Sequence, residues 1–180
     1  MANHHLNGTT VVCFGDSLTA GYGASAGQDY PSYLSALIHL PVINTGISGN
    51  TTRDALRRLD RDVLAYHPKL VIITLGANDF FQEIPKKETL VNMERIIERI
   101  KGQGGMVIWA AVQTGIFADG YIDDLTALAD REHIILIPNV LKGIIDHPQY
   151  MSDEVHPNSE GYRIMAEHIY QKIINPSKPR

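Results

Sequence analysis

Residues 70–79 read LVIITLGAND. Six apolar or β-favouring residues follow one another without alternation, then give way to a glycine and polar side chains. A strand with one wet face alternates apolar and polar residues, whereas a strand covered on both faces runs apolar throughout. The stretch therefore predicts a doubly covered strand that ends in a small-residue turn. Nearly continuous runs of the same kind occur at TVVCF (10–14), VINTG (42–46), MVIWAAV (106–112) and IILIP (134–138).

The segments between these runs carry a helical period. Leu56, Leu59 and Val63 step by three and four, as do Leu90, Met93, Ile97 and Ile100. A last helix is expected to start near Asn158, a suitable N-cap, and to carry Ile164, His168 and Ile169. Pro31, Pro68, Pro85, the GQGG at 102–105 and Pro157 fall where breaks belong. Such β-α-β-α alternation implies an α/β fold: a parallel sheet with right-handed crossovers and helices on both faces. No repeat, low-complexity segment or linker interrupts it, and residues 1–180 are expected to form one domain.

Composition narrows the function classes. The chain is 44% hydrophobic and 20% charged, with a net charge of −4, so no whole-molecule field invites nucleic acid. Arg53, Arg57, Arg58 and Arg61 share one helical segment with Asp54, Asp60 and Asp62, which reads as a mixed solvated face. The single cysteine, Cys13, lies inside an apolar run and reads as a small buried hydrophobe. No segment approaches the length of a membrane span. The opening MANHHLNGTT lacks Lys, Arg and the apolar run of a signal peptide. The chain as given thus reads as cytoplasmic; a signal removed from it would make it periplasmic or secreted.

Sites in open α/β sheets form beyond the carboxyl ends of the strands. GDSL with Ser17 follows the first run, and NTGISGNT with Gly46, Gly49 and Asn50 belongs to the second. GAND with Asn78 and Asp79 follows the third, QTGIF with Gln113, Thr114 and Phe117 the fourth, and SDEVHPN with Asp153 and His156 the fifth. Each block alone has a plain structural reading: GDS as a turn, SGNT as an N-cap, GAND as a turn with Asn78 or Asp79 left-handed, DEVH as a surface loop. Asp146 and His147 match no standard metal spacing, and no metal site is expected.

Together the blocks supply what ester hydrolysis by serine requires: a nucleophile, a base, a group orienting that base, and donors for the oxyanion. Ser17 can be the nucleophile, its N–H near a helix start. His156 can be the base, with Asp153 three residues earlier holding its ring. Gly49 offers an unobstructed backbone N–H and Asn78 a side-chain amide. Two other motif readings fail. GYGASA (21–26) fits the dinucleotide pattern, but it lies past the strand end and the second strand lacks the acidic ribose ligand. The G-x-S-x-G elbow is absent because Thr19 stands where its second glycine would be.

With FGDSLTAGYG, NTGISGNTT, LGAND and DEVHPN in order, the chain resembles the SGNH hydrolases, also called the GDSL family, from residue 12 to about 162, without departure at a signature position. It is most similar to their small bacterial thioesterase, arylesterase and lysophospholipase branch. The resemblance implies a three-layer α/β/α flavodoxin-like fold with five parallel strands in the order 2-1-3-4-5. It also implies Ser17, Asp153 and His156 as the triad, and Ser17, Gly49 and Asn78 as the oxyanion hole. No cofactor is implied, several acyl esters or thioesters are tolerated as substrates, and members are often exported.

Phe80, Phe81, Ile116 and Phe117 stand beyond strand ends, where they suit an acyl group; the competing reading packs Phe81 and Ile84 against the following helix. Two other functions remain as alternatives. A carbohydrate acetylesterase would use the same triad but want aromatic platforms, for which Trp109 inside a strand is poorly placed. A non-catalytic flavodoxin-like module binding phosphate or flavin at SLTAGYGASAG would leave GAND and DEVH unexplained.

Overall fold

The computed structural model describes residues 10–113 and 120–176. Five strands, β1 (Val11–Gly15), β2 (Val42–Gly46), β3 (Leu70–Thr74), β4 (Met106–Ala110) and β5 (Ile135–Ile137), form one parallel sheet in the order β2-β1-β3-β4-β5. Around it run α1 (Ser17–Ala20), α2 (Tyr30–Ile38), α3 (Thr52–Asp62), α4 (Ala77–Phe81), α5 (Lys86–Gly102), α6 (Tyr121–Glu132) and α7 (Ser159–Ile174). This is the expected α/β fold, and the strand order is the one implied by the resemblance.

The unbroken apolar runs are explained by two cores. Val12, Phe14, Val71, Ile73 and Trp109 point to one face, where α3, α5 and α6 cover them. Val11, Cys13, Ile72, Ile108 and Ala110 point to the other, under α2 and α7. Successive strand residues therefore bury on opposite sides, and each fully buried Ile or Phe contributes about 1.5–3 kcal/mol. Cys13 is buried as expected, and burial raises its thiol far above the ordinary range.

Register sets up the site. Gly15, the last residue of β1, stands level with Gly46 on β2 and Thr74 on β3, so three chain segments leave the sheet side by side. Helix starts then fix each departing segment. Thr51 caps α3 through a reciprocal box with Asp54, and Asn158 caps α7 by accepting from Glu160 and Gly161.

Two expectations are corrected. Neither Asn78 nor Asp79 is left-handed: Gly76 takes the positive φ, at 117°, and frees both to open α4. Arg58 does not belong to a solvated face, being only 7% exposed. Arg53, Arg57 and Arg61 are exposed as expected. Among the described residues no helix is long and apolar enough to cross a membrane.

Candidate active site

Ser17 is the first residue of α1, immediately past the end of β1. Asp16 makes the corner. Its carboxylate accepts from the Leu18 N–H at 3.0 Å and its carbonyl from the Ala20 N–H at 2.9 Å. The side chain is 3% exposed, and burial pushes its pKa up to about 7 against the pull of the Leu18 N–H. Asp16 thus holds local backbone, as its position beside Ser17 suggests.

The Ser17 hydroxyl lies 2.9 Å from His156 Nε2, although the residues are 139 positions apart. On the other side of the ring, Nδ1 lies 2.8 Å from Asp153 Oδ2 and 3.0 Å from Oδ1. The loop that carries them is tied to itself. Asp153 Oδ1 accepts from the N–H groups of Val155 and His156, and Ser152 donates to the His156 carbonyl through both its N–H and its hydroxyl. Partial burial would raise the Asp153 carboxyl, but the Val155 N–H and the His156 side chain and N–H together hold it below its ordinary value. A carboxylate ionised at neutral pH therefore faces Nδ1, which places the ring proton there and leaves Nε2 as acceptor for Ser17.

Gly49 and Asn78 come to the same edge. The Gly46 N–H is already given to Asn44 Oδ1 at 2.9 Å, and the residue is pressed onto α1, where a Cβ would meet the Ala20 nitrogen at 2.1 Å. Gly49 has a φ of 79° and nothing within 4 Å of its Cβ position, so its neighbourhood is open for a ligand to approach. No acceptor among the described residues takes the N–H of Ser17 or of Gly49. The Asn78 amide donates to the Asn50 carbonyl at 3.0 Å and to Asp16 Oδ2 at 3.3 Å. Gln82 donates to the Gly49 carbonyl at 3.2 Å. The adjoining Asp79, 1% exposed, locks α4 to α3 by accepting from the Thr52 N–H and hydroxyl and from Thr89.

Three contacts escape a reading of the strand ends. Tyr22 lays its ring 4.6 Å from the His156 ring, held by Tyr162, whose hydroxyl donates to the Tyr22 carbonyl at 2.8 Å. Nothing in the spacing of Tyr22 and His156 announces that contact. Asp16 reaches Asn78 as well as its own backbone. Arg58 reaches the loop behind Gly49, and its place on the buried stripe of α3 (Thr52, Ala55, Arg58, Leu59) is a signal the sequence does carry.

Phe80 and Phe81 follow Asn78 on α4, 41% and 52% exposed, in edge-to-face contact. Packing therefore takes Ile84, which is buried, and not Phe81. Ile116 and Phe117 lie outside the described residues. Away from this edge, Glu94, Glu98 and Glu132 come within 4.8 Å of one another. Arg131 already pairs with Glu94 and Lys101 with Glu132, so cations of the chain answer that charge.

Known proteins resemble the chain in sequence and fold. The model of the GDSL-like lipase/acylhydrolase family matches residues 13–164. An arylesterase from Vibrio mimicus is 33% identical over 91% of this chain and 88% of its own length. The thioesterase 1/protease 1/lysophospholipase L1 of Escherichia coli K12 is 26% identical over 91% of this chain and 83% of its own. The crystal structure of TesA superimposes with a TM-score of 0.84 at 25% identity, covering 93% of this chain and 98% of that one.

Proposed function

The chain belongs to the GDSL-like lipase/acylhydrolase family and is a carboxylic ester hydrolase, and we propose that it works through a Ser17–His156–Asp153 relay and an acyl-enzyme. Ser17 Oγ attacks the ester carbonyl as His156 Nε2 takes its proton. Asp153 holds the imidazole tautomer and faces the imidazolium that forms. The N–H groups of Ser17 and Gly49 and the Asn78 amide receive the oxyanion. His156 then protonates the leaving group, and water, activated by the same base, releases the acid. The observation that carries this reading is the pair of contacts on one imidazole, 2.9 Å to Ser17 and 2.8 Å to Asp153.

Asn78 tests the oxyanion assignment. One lost donor costs roughly 10²–10³ in kcat, so Asn78→Ala should fall by that factor on p-nitrophenyl acetate. Near-wild-type turnover would sink the assignment.

The acyl group is read as short to medium or aromatic, on an ester or thioester. Exposed Phe80 and Phe81 beside Asn78 support that reading, as do the activities named for the arylesterase and thioesterase/lysophospholipase relatives. Removing the cover of two methylenes at about 0.8 kcal/mol each is worth roughly tenfold. Phe80→Ala should therefore lose about tenfold in kcat/KM on p-nitrophenyl octanoate relative to acetate. An unchanged chain-length profile would return Phe80 to packing. The only tryptophan, Trp109, is fully buried in β4 and cannot serve as a sugar platform. Acetylated xylan should accordingly be a poorer substrate than simple acyl esters.

A further inference from the structure

Arg58 is the buried cation of the sheet edge, and its bonds converge on the segments that carry the site. Its Nη2 donates to the Gly15 carbonyl at 2.8 Å and its Nη1 to the Thr45 carbonyl at 2.7 Å. Nε donates to the Asn50 side-chain oxygen at 2.6 Å, and Asp62 supplies a counter-charge at 3.1 Å from Nη1. The guanidinium carbon sits 4.4 Å from the Phe14 ring centroid, so the aromatic face fixes the plane of the fork.

Each acceptor lies within four residues of an oxyanion donor. Gly15 is two residues before Ser17, and its carbonyl also takes the Ile47 N–H at 3.0 Å, which seats the turn leading to Gly49. Thr45 precedes that same turn on β2. Asn50 adjoins Gly49, and its backbone carbonyl takes the Asn78 amide. The three donors leave three different strands, and one rigid planar group binds the backbone or side chain next to two of them and, through Asn50, reaches the third.

We propose that Arg58 is a positioning residue that fixes the spacing of the Ser17, Gly49 and Asn78 donors, so that its loss falls on kcat and not on KM. The proposal rests on the oxyanion reading given above. It depends on the shape of the fork as well as its charge, since a lysine offers a point charge and cannot span the Gly15, Thr45 and Asn50 oxygens in one plane.

The test measures Arg58→Lys and Arg58→Met with p-nitrophenyl acetate, with kcat expressed per active site titrated by a fluorophosphonate. A residue that served folding alone would reduce the number of titrated sites and the Tm but leave turnover per site intact. We expect kcat per site to fall roughly 10–100-fold in both variants, less than a deleted donor costs, with KM within about twofold. Charge alone should not rescue, so Arg58→Lys should recover little. Combined with Asn78→Ala, Arg58→Lys should cost less than it does alone, because one of the three donors it helps to place is already gone. Turnover per site within twofold of wild type, a loss confined to KM, or independent effects in the double variant would overturn the proposal. If neither Arg58 variant folds, Asn50→Ala cuts the same tie at its surface end; a kcat loss at constant KM supports the proposal and an unchanged kcat refutes it. Failure of the underlying reading would look different, since wild-type enzyme would then not be titrated at Ser17 or Asn78→Ala alone would keep full turnover.

Discussion

Ser17→Ala is expected to abolish covalent labelling by a fluorophosphonate and to lower kcat on p-nitrophenyl acetate by roughly 10⁴–10⁶-fold. On the proposed mechanism the effect is large because the variant keeps the oxyanion donors but loses the hydroxyl that forms the acyl bond. A serine hydroxyl is a weak nucleophile at neutral pH unless a base stands within hydrogen-bond reach. At the sheet edge, that condition is met at Ser17, 2.9 Å from His156 Nε2. Ser152 and Ser159 flank His156 at four and three residues, but the Ser152 hydroxyl donates to the His156 carbonyl at 3.1 Å and the Ser159 hydroxyl accepts from the Ser25 N–H at 3.0 Å, so neither bonds the ring. Folding should hardly notice the change. Ser17 is partly exposed and its hydroxyl bonds His156, so the stability change should stay within about 1 kcal/mol. Mass spectrometry of the labelled protein reads the site directly. A label that persists in Ser17→Ala, or maps to another serine, would move the nucleophile elsewhere.

How much of this was legible in the sequence follows from what each residue type can signal. Strands covered on both faces announce themselves by unbroken apolar runs, so LVIITL and TVVCF gave both the element and its two-sided burial. Strand ends in a parallel sheet share one edge, so reading each run's carboxyl end gathers Ser17, Gly49 and Asn78, whereas Asp153 and His156 come past a longer connection after β5. Glycine was harder. Gly46 and Gly49 look alike in NTGISGNTT, and what separates them is contact: one is pressed onto α1 and the other is open.

Charge misleads for a similar reason. Four arginines and three aspartates on one segment suggest a wet helix face, and three of those arginines fit that reading. Arg58 shares its stripe with Ala55 and Leu59, yet a run of charges hides which member turns inward. Burying it required acceptors that only the folded sheet edge provides, namely the carbonyls of Gly15 and Thr45 and the side chain of Asn50. The Tyr22–His156 contact is less legible still, since it joins residues from opposite ends of the chain with no shared pattern. The acyl side of the site divides: Phe80 and Phe81 stand exposed beside Asn78, while Ile116 and Phe117 belong to residues outside the described structure.

Asp153→Asn carries the second large effect, and its geometry makes the outcome specific. An asparagine here can keep its side-chain oxygen on the N–H groups of Val155 and His156, so the loop 151–157 should hold its shape. Its NH₂ then replaces Oδ2, the atom 2.8 Å from His156 Nδ1. A donor facing Nδ1 forces the ring proton onto Nε2, which would then point a donor at Ser17 where an acceptor is needed. The nucleophile loses its base without any loss of fold. A wrong tautomer of this kind costs about 10⁴ in kcat where the carboxylate is buried. The Asp153 side chain is 42% exposed, so water screens it and the loss should be nearer 10²–10³. Kinetics at pH 7 with a matched Tm measurement check this, expecting kcat down by that factor and Tm within about 2 °C. A fall in kcat smaller than about fivefold would mean that the ring keeps its tautomer without Asp153, leaving the carboxylate a loop-folding role through its two backbone N–H bonds.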